Sequence, residues 1–317
     1  MRRLDLSVLA VSLGIFALAA MPVLLDPVFG QMDSPVPERQ SGLPGQAPSE
    51  AEMKARTDEL IANQNADDQT IEQYEHVERE VDRSNGADRH TVQDRTFRVV
   101  PTGTGTLRIL LKDNGKTTDP ADYRRQLQAW KDVLQLALHP EDPRSKTAYT
   151  KFEKKKHDRE EMVNSTREAF SEKWVGREIR NGHDCDVVQL DPNPSFHPHS
   201  MMQEVVTHFT AKVWVDHDSN QLVHGEAHVM RDISVGGGIL GKLYRGGVFS
   251  FDQVPVARDV WLPARYQYDF TGRKFLFTFE VHQVVESGQY RRVGAPKDAL
   301  IVVQNEIATG KIVTADP

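Results

Sequence analysis

Between Ala211 and Val229 the chain reads AKVWVDHDSNQLVHGEAHV, which places three histidines and two aspartates within nineteen residues. Imidazoles and carboxylates at this density suit a metal centre or acid–base chemistry. The alternation of residue types points elsewhere. Thr210, Lys212, Trp214 and Asp216 share one strand face, and Ala211, Val213 and Val215 the other. After Asp218-Ser219-Asn220 the returning run puts Leu222, His224, Glu226, His228 and Met230 on one face, with Val223, Gly225, Ala227 and Val229 opposite. Same-face neighbours on a strand lie about 6.8 Å apart, so His224 and His228 stand roughly 13–14 Å apart, too far to share an ion. The stretch is expected to be a hairpin with a polar outer face, and a metal or acid–base site there would need ligands from a neighbouring strand.

Other constellations are weaker. His197-Pro198-His199, with His208 further on, carries an HxH pair, yet Pro194 and Pro198 mark irregular loop rather than strand. Gly236 to Lys242 fits the first seven positions of a phosphate-binding GxxxxGK loop, but Leu243 stands where Ser or Thr should hold magnesium. Its setting among antiparallel hairpins is also wrong for that motif. The segment ISVGGGILGKLYRGG is expected to be either a simple glycine-rich bend or a flap at a cavity mouth, carrying Ile239, Leu240, Leu243 and Tyr244. The single cysteine, Cys185, lies between Asp184 and Asp186, which raise a thiol pKa rather than activate it. No GxSxG elbow is present, and no cofactor is expected.

The elements that would position these residues are legible. Asn85-Gly86, Asn114-Gly115 and Asn181-Gly182 each separate strand-like runs, the strongest short-range hairpin signal. The spacing of Tyr123, Leu127, Trp130, Leu134 and Leu138 after Asp119-Pro120 predicts a helix, closed by His139-Pro140 and followed by a charged helix over 145–170. VWLPARYQYDF aligns Val260, Leu262, Ala264, Tyr266, Tyr268 and Phe270 on one face. KFLFTFEVHQVV aligns Phe275, Phe277, Phe279 and Val281, with Thr271-Gly272-Arg273 as the turn between the two runs. The predicted fold class is α+β: one large curved antiparallel β-sheet, a half-open barrel, with helices covering its concave face.

At the scale of the chain, a net charge of −7 gives no basic field for nucleic acid. Arg2 and Arg3 precede an apolar run from Leu6 to Leu25, the order of a secretory signal. Residues 1–30 are therefore expected to be a signal peptide or an N-terminal anchor, with membrane contact only through that segment if it is uncleaved. Residues 31–50 form a Pro/Gly/Ser-rich linker and 51–70 a weak helix with Met53, Ala55, Leu60 and Ile61. Residues 71–295 form a single sheet domain with a helical insertion at 118–170, and 296–317 a tail. An exported domain without disulfides must rely on its own core.

The stretches VGREIRNGHDCDVVQLDPNP, AKVWVDHDSNQLVHGEAHV, DVWLPARYQYDF and FLFTFEVHQVVES resemble the strand–turn units of bacterial exported proteins related to outer-membrane lipoprotein sorting, the LolA/LolB-like superfamily. QYEHVEREV and the helix after Asn114-Gly115 fit more loosely. The resemblance implies helices lidding an apolar cavity, and a carrier of acyl chains in the cell envelope. The 118–170 insertion and the long linker depart from the family pattern.

Three functions follow as expectations. The first is a non-enzymatic periplasmic or envelope protein binding an acyl chain or other apolar ligand. Its cavity residues would be Phe209, Val213, Val215, Leu262, Tyr266, Tyr268, Phe270, Phe275, Phe277 and Phe279. The second is an envelope scaffold with a closed core, holding a protein partner. The third is a metalloenzyme using His197, His199 and His208.

Overall fold

The computed structural model describes residues 41–43, 46–85, 88–235 and 241–310. The expected signal or anchor at 1–30 lies outside the described residues, as do most of the linker and the flap residues Ile239 and Leu240. No described helix is long and apolar enough to cross a membrane.

In chain order the strands are β1 (Ser41–Leu43), β2 (Tyr74–Arg83), β3 (Thr91–Pro101), β4 (Thr106–Asp113), β5 (Lys116–Thr117), β6 (Phe170–Arg180), β7 (His183–Pro192), β8 (Phe209–Asp216), β9 (Leu222–Val229), β10 (Ile233–Val235), β11 (Gly241–Leu243), β12 (Val248–Ala257), β13 (Val260–Lys274) and β14 (Phe277–Arg292). The helices are α1 (Glu50–Thr70), α2 (Pro120–Ala137), α3 (Pro143–Ala169), α4 (Met201–Val206) and α5 (Pro296–Thr309). The strands form one open antiparallel sheet in the order β1-β6-β7-β8-β9-β12-β13-β14-β2-β3-β4-β5, with the β10–β11 hairpin attached through β11 to β13.

Local chemistry accounts for the boundaries. Ser49 and Glu52 close a reciprocal capping box at the start of α1. Asp119 and Asp142 cap α2 and α3, each followed by proline in the first turn, where no N–H is missed. Asn114 and Asn181 adopt φ of 48° and 51°, with Gly115 and Gly182 at 79° and 83°, the conformation that joins two strands in a two-residue hairpin.

The two sheet faces differ. The front carries Val213 and Val215 of β8, Ala227 and Val229 of β9, Phe249 and Phe251 of β12, Tyr266, Tyr268 and Phe270 of β13, and Val285 of β14, all in one buried cluster. Met162 and Ala169 of α3 and Val205 and Val206 of α4 join that cluster, with Met53 and Leu60 of α1 packed against it. The β14–β2 and β2–β3 registers put Val77 on the opposite side from Val285. There, α2 and α5 pack on β2–β4 through Tyr123, Leu127, Trp130, Ala299 and Val303, joined by Val100 and Ile109. Helices thus cover both faces, each at a different end of the sheet. Residues 296–309, expected as tail, are an integral helix because Ala299 and Val303 supply part of this second core.

The strand pattern needs three further corrections. The β13–β14 turn falls at Phe275-Leu276, not at Thr271-Gly272-Arg273, since Lys274 pairs with Phe277 and Arg273 with Thr278. Phe275 and Phe277 are therefore exposed, while Phe279 is half-buried over Gly272. The alternation was right for Phe277 and Phe279, but the strand runs past the end of the core. Leu262 is buried apart from the front cluster, because a register shift at Asp252/Gln253 leaves Ala264 unpaired and breaks the alternation of β13. A second shift at Trp214/Val215 brings Leu222 to the front cluster, on the other side from His224.

Candidate ligand cavity

Under α1 the front face is not fully filled. A cleft of about 90 Å³ has Val188 and Leu190 of β7, Val213 and Val215 of β8 and Leu222 of β9 as its floor. Its roof is Met53, Leu60 and Ile61 of α1, and Val163 and Thr166 of α3 close one side. Arg56, Thr57, Gln64, Glu172, Asp186 and Asn220 also line the cleft, and its volume is below the roughly 150 Å³ of an apolar cavity that takes up benzene. A long acyl chain therefore fits only if the roof lifts.

The roof is attached in an unusual way. The only buried residue of α1 is an acid, Asp67, and the helix is held chiefly by polar contacts. Arg56 donates to Asp186 at 2.5 Å, and Thr57 to Glu172 at 2.7 Å. Asn63 donates to the Ser219 and Asn220 carbonyls at 3.3 and 3.1 Å, and Gln64 meets Gln253 at 3.1 Å. Arg159 of α3 pairs with Asp68 at 2.7 Å, and Arg167 with Asp58. The neutral bonds among these are worth about 0.5–1.5 kcal/mol net and those to charged groups about 1.5–3, because water replaces them when the helix lifts.

Electrostatics sharpen the picture. Burial pushes the Asp186 carboxyl up, but hydrogen bonds from His217 and Trp174 and the Arg56 charge outweigh it and hold the group below its ordinary value. Glu172 moves the other way, raised by burial despite the Thr57 hydroxyl. Burial pushes Asp67 up to about 7, against the pull of the Trp261 N–H at 3.0 Å. Its second carboxylate oxygen is buried without a partner among the described residues. That arrangement favours a protonated acid in the closed state.

Of the residues expected to line a cavity, the structure brings only Val213 and Val215 to this cleft. Phe209, Tyr266, Tyr268 and Phe270 lie in the packed core. There Tyr266, Tyr268, Phe249 and Phe251 stack on one another with ring centroids 5.2–6.4 Å apart. Leu243, expected in a flap, is buried in β11, and Tyr244 is half-buried beside it. The roof residues Met53, Leu60 and Ile61 were visible only as a weak stripe, and Val188, Leu190 and Trp174 carried no signal beyond strand alternation.

His224 is 2% exposed, with Nδ1 2.8 Å from Asp252, Nε2 3.1 Å from Glu226, and Trp214 against its ring. Burial pulls its pKa down, yet the Asp252 and Glu226 hydrogen bonds more than restore it, so it is raised. His197 and His199 are exposed, and His208 Nδ1 lies 2.9 Å from the Glu204 carbonyl. Among the described residues no group of three or more His, Cys, Asp or Glu could hold a metal ion. Cys185 is buried and its thiol is pushed up to about 12, chiefly by burial, which leaves it inert.

No family model and no curated protein matches the chain. Solved structures do. A domain described as outer membrane lipoprotein-sorting, from Vibrio parahaemolyticus, aligns at 10% identity over 74% of this chain and 92% of that one, with a TM-score of 0.32. A DUF1329 family protein from Desulfovibrio piger aligns at 10% identity over 75% and 92%, with a TM-score of 0.29. A LolA superfamily protein from Nitrosomonas europaea aligns at 10% identity over 77% and 96%, with a TM-score of 0.28. Likeness at this level brings no residue role and no activity to this chain.

Proposed function

We propose that the protein is a non-enzymatic binder of an acyl chain or similar apolar ligand, which enters beneath α1 and lies on the valine and leucine floor of β7–β9. One observation carries this reading: an apolar cleft is roofed by a helix that polar contacts hold in place. A helix meant only to seal a core buries an apolar stripe, because that is where most helix docking energy comes from. Here the docked helix contributes little apolar contact and many exchangeable hydrogen bonds, which suits a roof that opens. The apolar run Leu6–Leu25 behind Arg2 and Arg3 supports action outside the cytoplasm, in the cell envelope.

The test is uptake of a fluorescent fatty acid by the full chain, with Val213→Trp as the blocking variant. The larger side chain fills the cleft, so uptake should fall at least tenfold while the circular dichroism spectrum is kept. Equal uptake by both proteins, or none by the wild type, would refute the reading. The stacked aromatic core favours the second reading, a closed envelope scaffold. That reading predicts no uptake and a protein partner lost on charge reversal of Lys154, Lys155 and Lys156 along α3.

A further inference from the structure

The tip of the β13–β14 hairpin carries three consecutive large apolar residues in solvent: Phe275 is 41% exposed, Leu276 88% and Phe277 78%. Single exposed apolar residues are ordinary, but a run of three at a projecting turn is not. The turn chemistry is also unfavourable. Phe275-Leu276 forms a two-residue link where asparagine and glycine are preferred, and Phe275 holds φ at 53°, a costly region for an aromatic residue. The fold gains no core packing in return, since Phe279 is the residue that returns to the sheet over Gly272.

The base of the tip is basic. Arg273 and Lys274 lead into it, Lys242 of β11 pairs across from Arg273, and the exposed Arg245 follows Tyr244, whose N–H bonds to the Thr271 carbonyl. Acids stand among these cations too: Asp232 lies 2.8 Å from Lys242 and accepts the Arg245 N–H, and Glu280 lies 3.2 Å from His282, so the cluster is cationic on balance rather than unopposed. This cationic ring stands out in a chain whose net charge is −7. We propose that the Phe275–Phe277 tip inserts into the surface of an anionic phospholipid bilayer, with Lys242, Arg273, Lys274 and Arg245 among the headgroups. The order of the groups selects this occupant: apolar side chains lead and cations follow behind them, matching the order of hydrocarbon and anionic headgroups in a membrane. The contact is separate from the cleft and does not depend on ligand binding, and it adds a membrane contact to the one expected of the N-terminal segment.

The N-terminal apolar run could hold the full chain on vesicles by itself, so the readout must be local to the tip. Leu276→Cys, labelled with an environment-sensitive dye, reports there, and the buried, high-pKa Cys185 leaves the background unlabelled. Ile301→Cys on α5, at a 53% exposed position, is the control. On mixed phosphatidylcholine–phosphatidylglycerol vesicles the Leu276 label should shift to the blue and be quenched by lipids brominated in their acyl chains, while the Ile301 label does neither. Adding Lys274→Gln should weaken partitioning of the tip by roughly fivefold. A Leu276 label that stays in water overturns the proposal, as does an equal shift on pure phosphatidylcholine. A shift that needs no vesicles and grows with protein concentration would assign the tip to a second copy of this chain and overturn it as well.

Discussion

Arg98 is bound on every side. It is 1% exposed, donates to Glu75 at 2.6 Å and to Glu306 at 2.7 Å, reaches the Tyr123 hydroxyl at 3.0 Å, and lies over the Trp130 ring. Removing one partner of such a cluster leaves the others charged and buried, so Arg98→Met should cost about 3–5 kcal/mol in urea unfolding. Adding Glu75→Gln and Glu306→Gln should recover part of that loss. Asp67 gives a different residue-scale prediction. Its ordinary pKa is about 4, and in the folded state it is pushed up to about 7. Between those values the unfolded chain has lost the proton while the folded chain still holds it, so this acid's contribution to stability falls as pH rises through that window. Burial also raises Asp68 and Glu72 against Arg159 and Lys156, which acts in the same direction. Asp67→Asn keeps an acceptor for the Trp261 N–H and removes the titration. Its melting temperature should exceed the wild type's at pH 8 and converge with it near pH 4; a constant offset across that range would contradict the assignment.

Among the elements, β11 and α1 each depend on a small set of contacts. Strand β11 has three residues and sits on β13 with Leu243 opposite Gly272. A Cβ on Gly272 would lie 2.5 Å from Phe279 Cζ and 2.6 Å from the Lys242 carbonyl oxygen, so Gly272→Ala must displace the strand. The expected cost is about 1–3 kcal/mol. Gly288 has open space around its Cβ position, so Gly288→Ala, followed by the same thermal melt, should be near neutral. The helix α1 should be the fastest helix of the front face in hydrogen exchange, and Arg56→Ala should speed it further. The sequence exposed these elements unevenly. The Asn114-Gly115 and Asn181-Gly182 turns and the α2 stripe were readable because their signals are local, while Gly86 of the third pair lies outside the described residues. The roof role of α1 was not, since its contacts with Asp186, Glu172, Gln253 and Trp261 come from residues more than a hundred positions away. The shifts at Ala264 and Val223 were equally invisible, because period-two reading assumes an unbroken strand.

For the whole molecule, the single sheet makes one mechanical unit of strands far apart in sequence. β14 pairs with β13 on one side and with β2 on the other, joining the aromatic front core to the strands that carry α2 and α5. Urea unfolding followed by tryptophan fluorescence and by far-ultraviolet dichroism should therefore give coincident transitions. Two separated transitions would show that the β6–β13 and β2–β5 halves are independent. The fold class was readable at this scale from alternation and hairpin spacing. The division of labour between faces was not, because the packing of α2 and α5 behind the sheet is set by which strands become neighbours.

Glu306, which completes the shell around Arg98, lies 208 residues further along the chain. A ribosome making this protein delivers Glu75 and the guanidinium close together and the second carboxylate much later, and β2 likewise waits for β14. Until β14 and α5 emerge, Arg98 has Glu75 but not Glu306, and β2 has an unpaired edge, so this part of the fold closes late. The order of these groups along the sequence therefore sets an order of assembly: the β2–β3 pair can form first, and its charge shell and outer edge are completed only when β14 and α5 arrive.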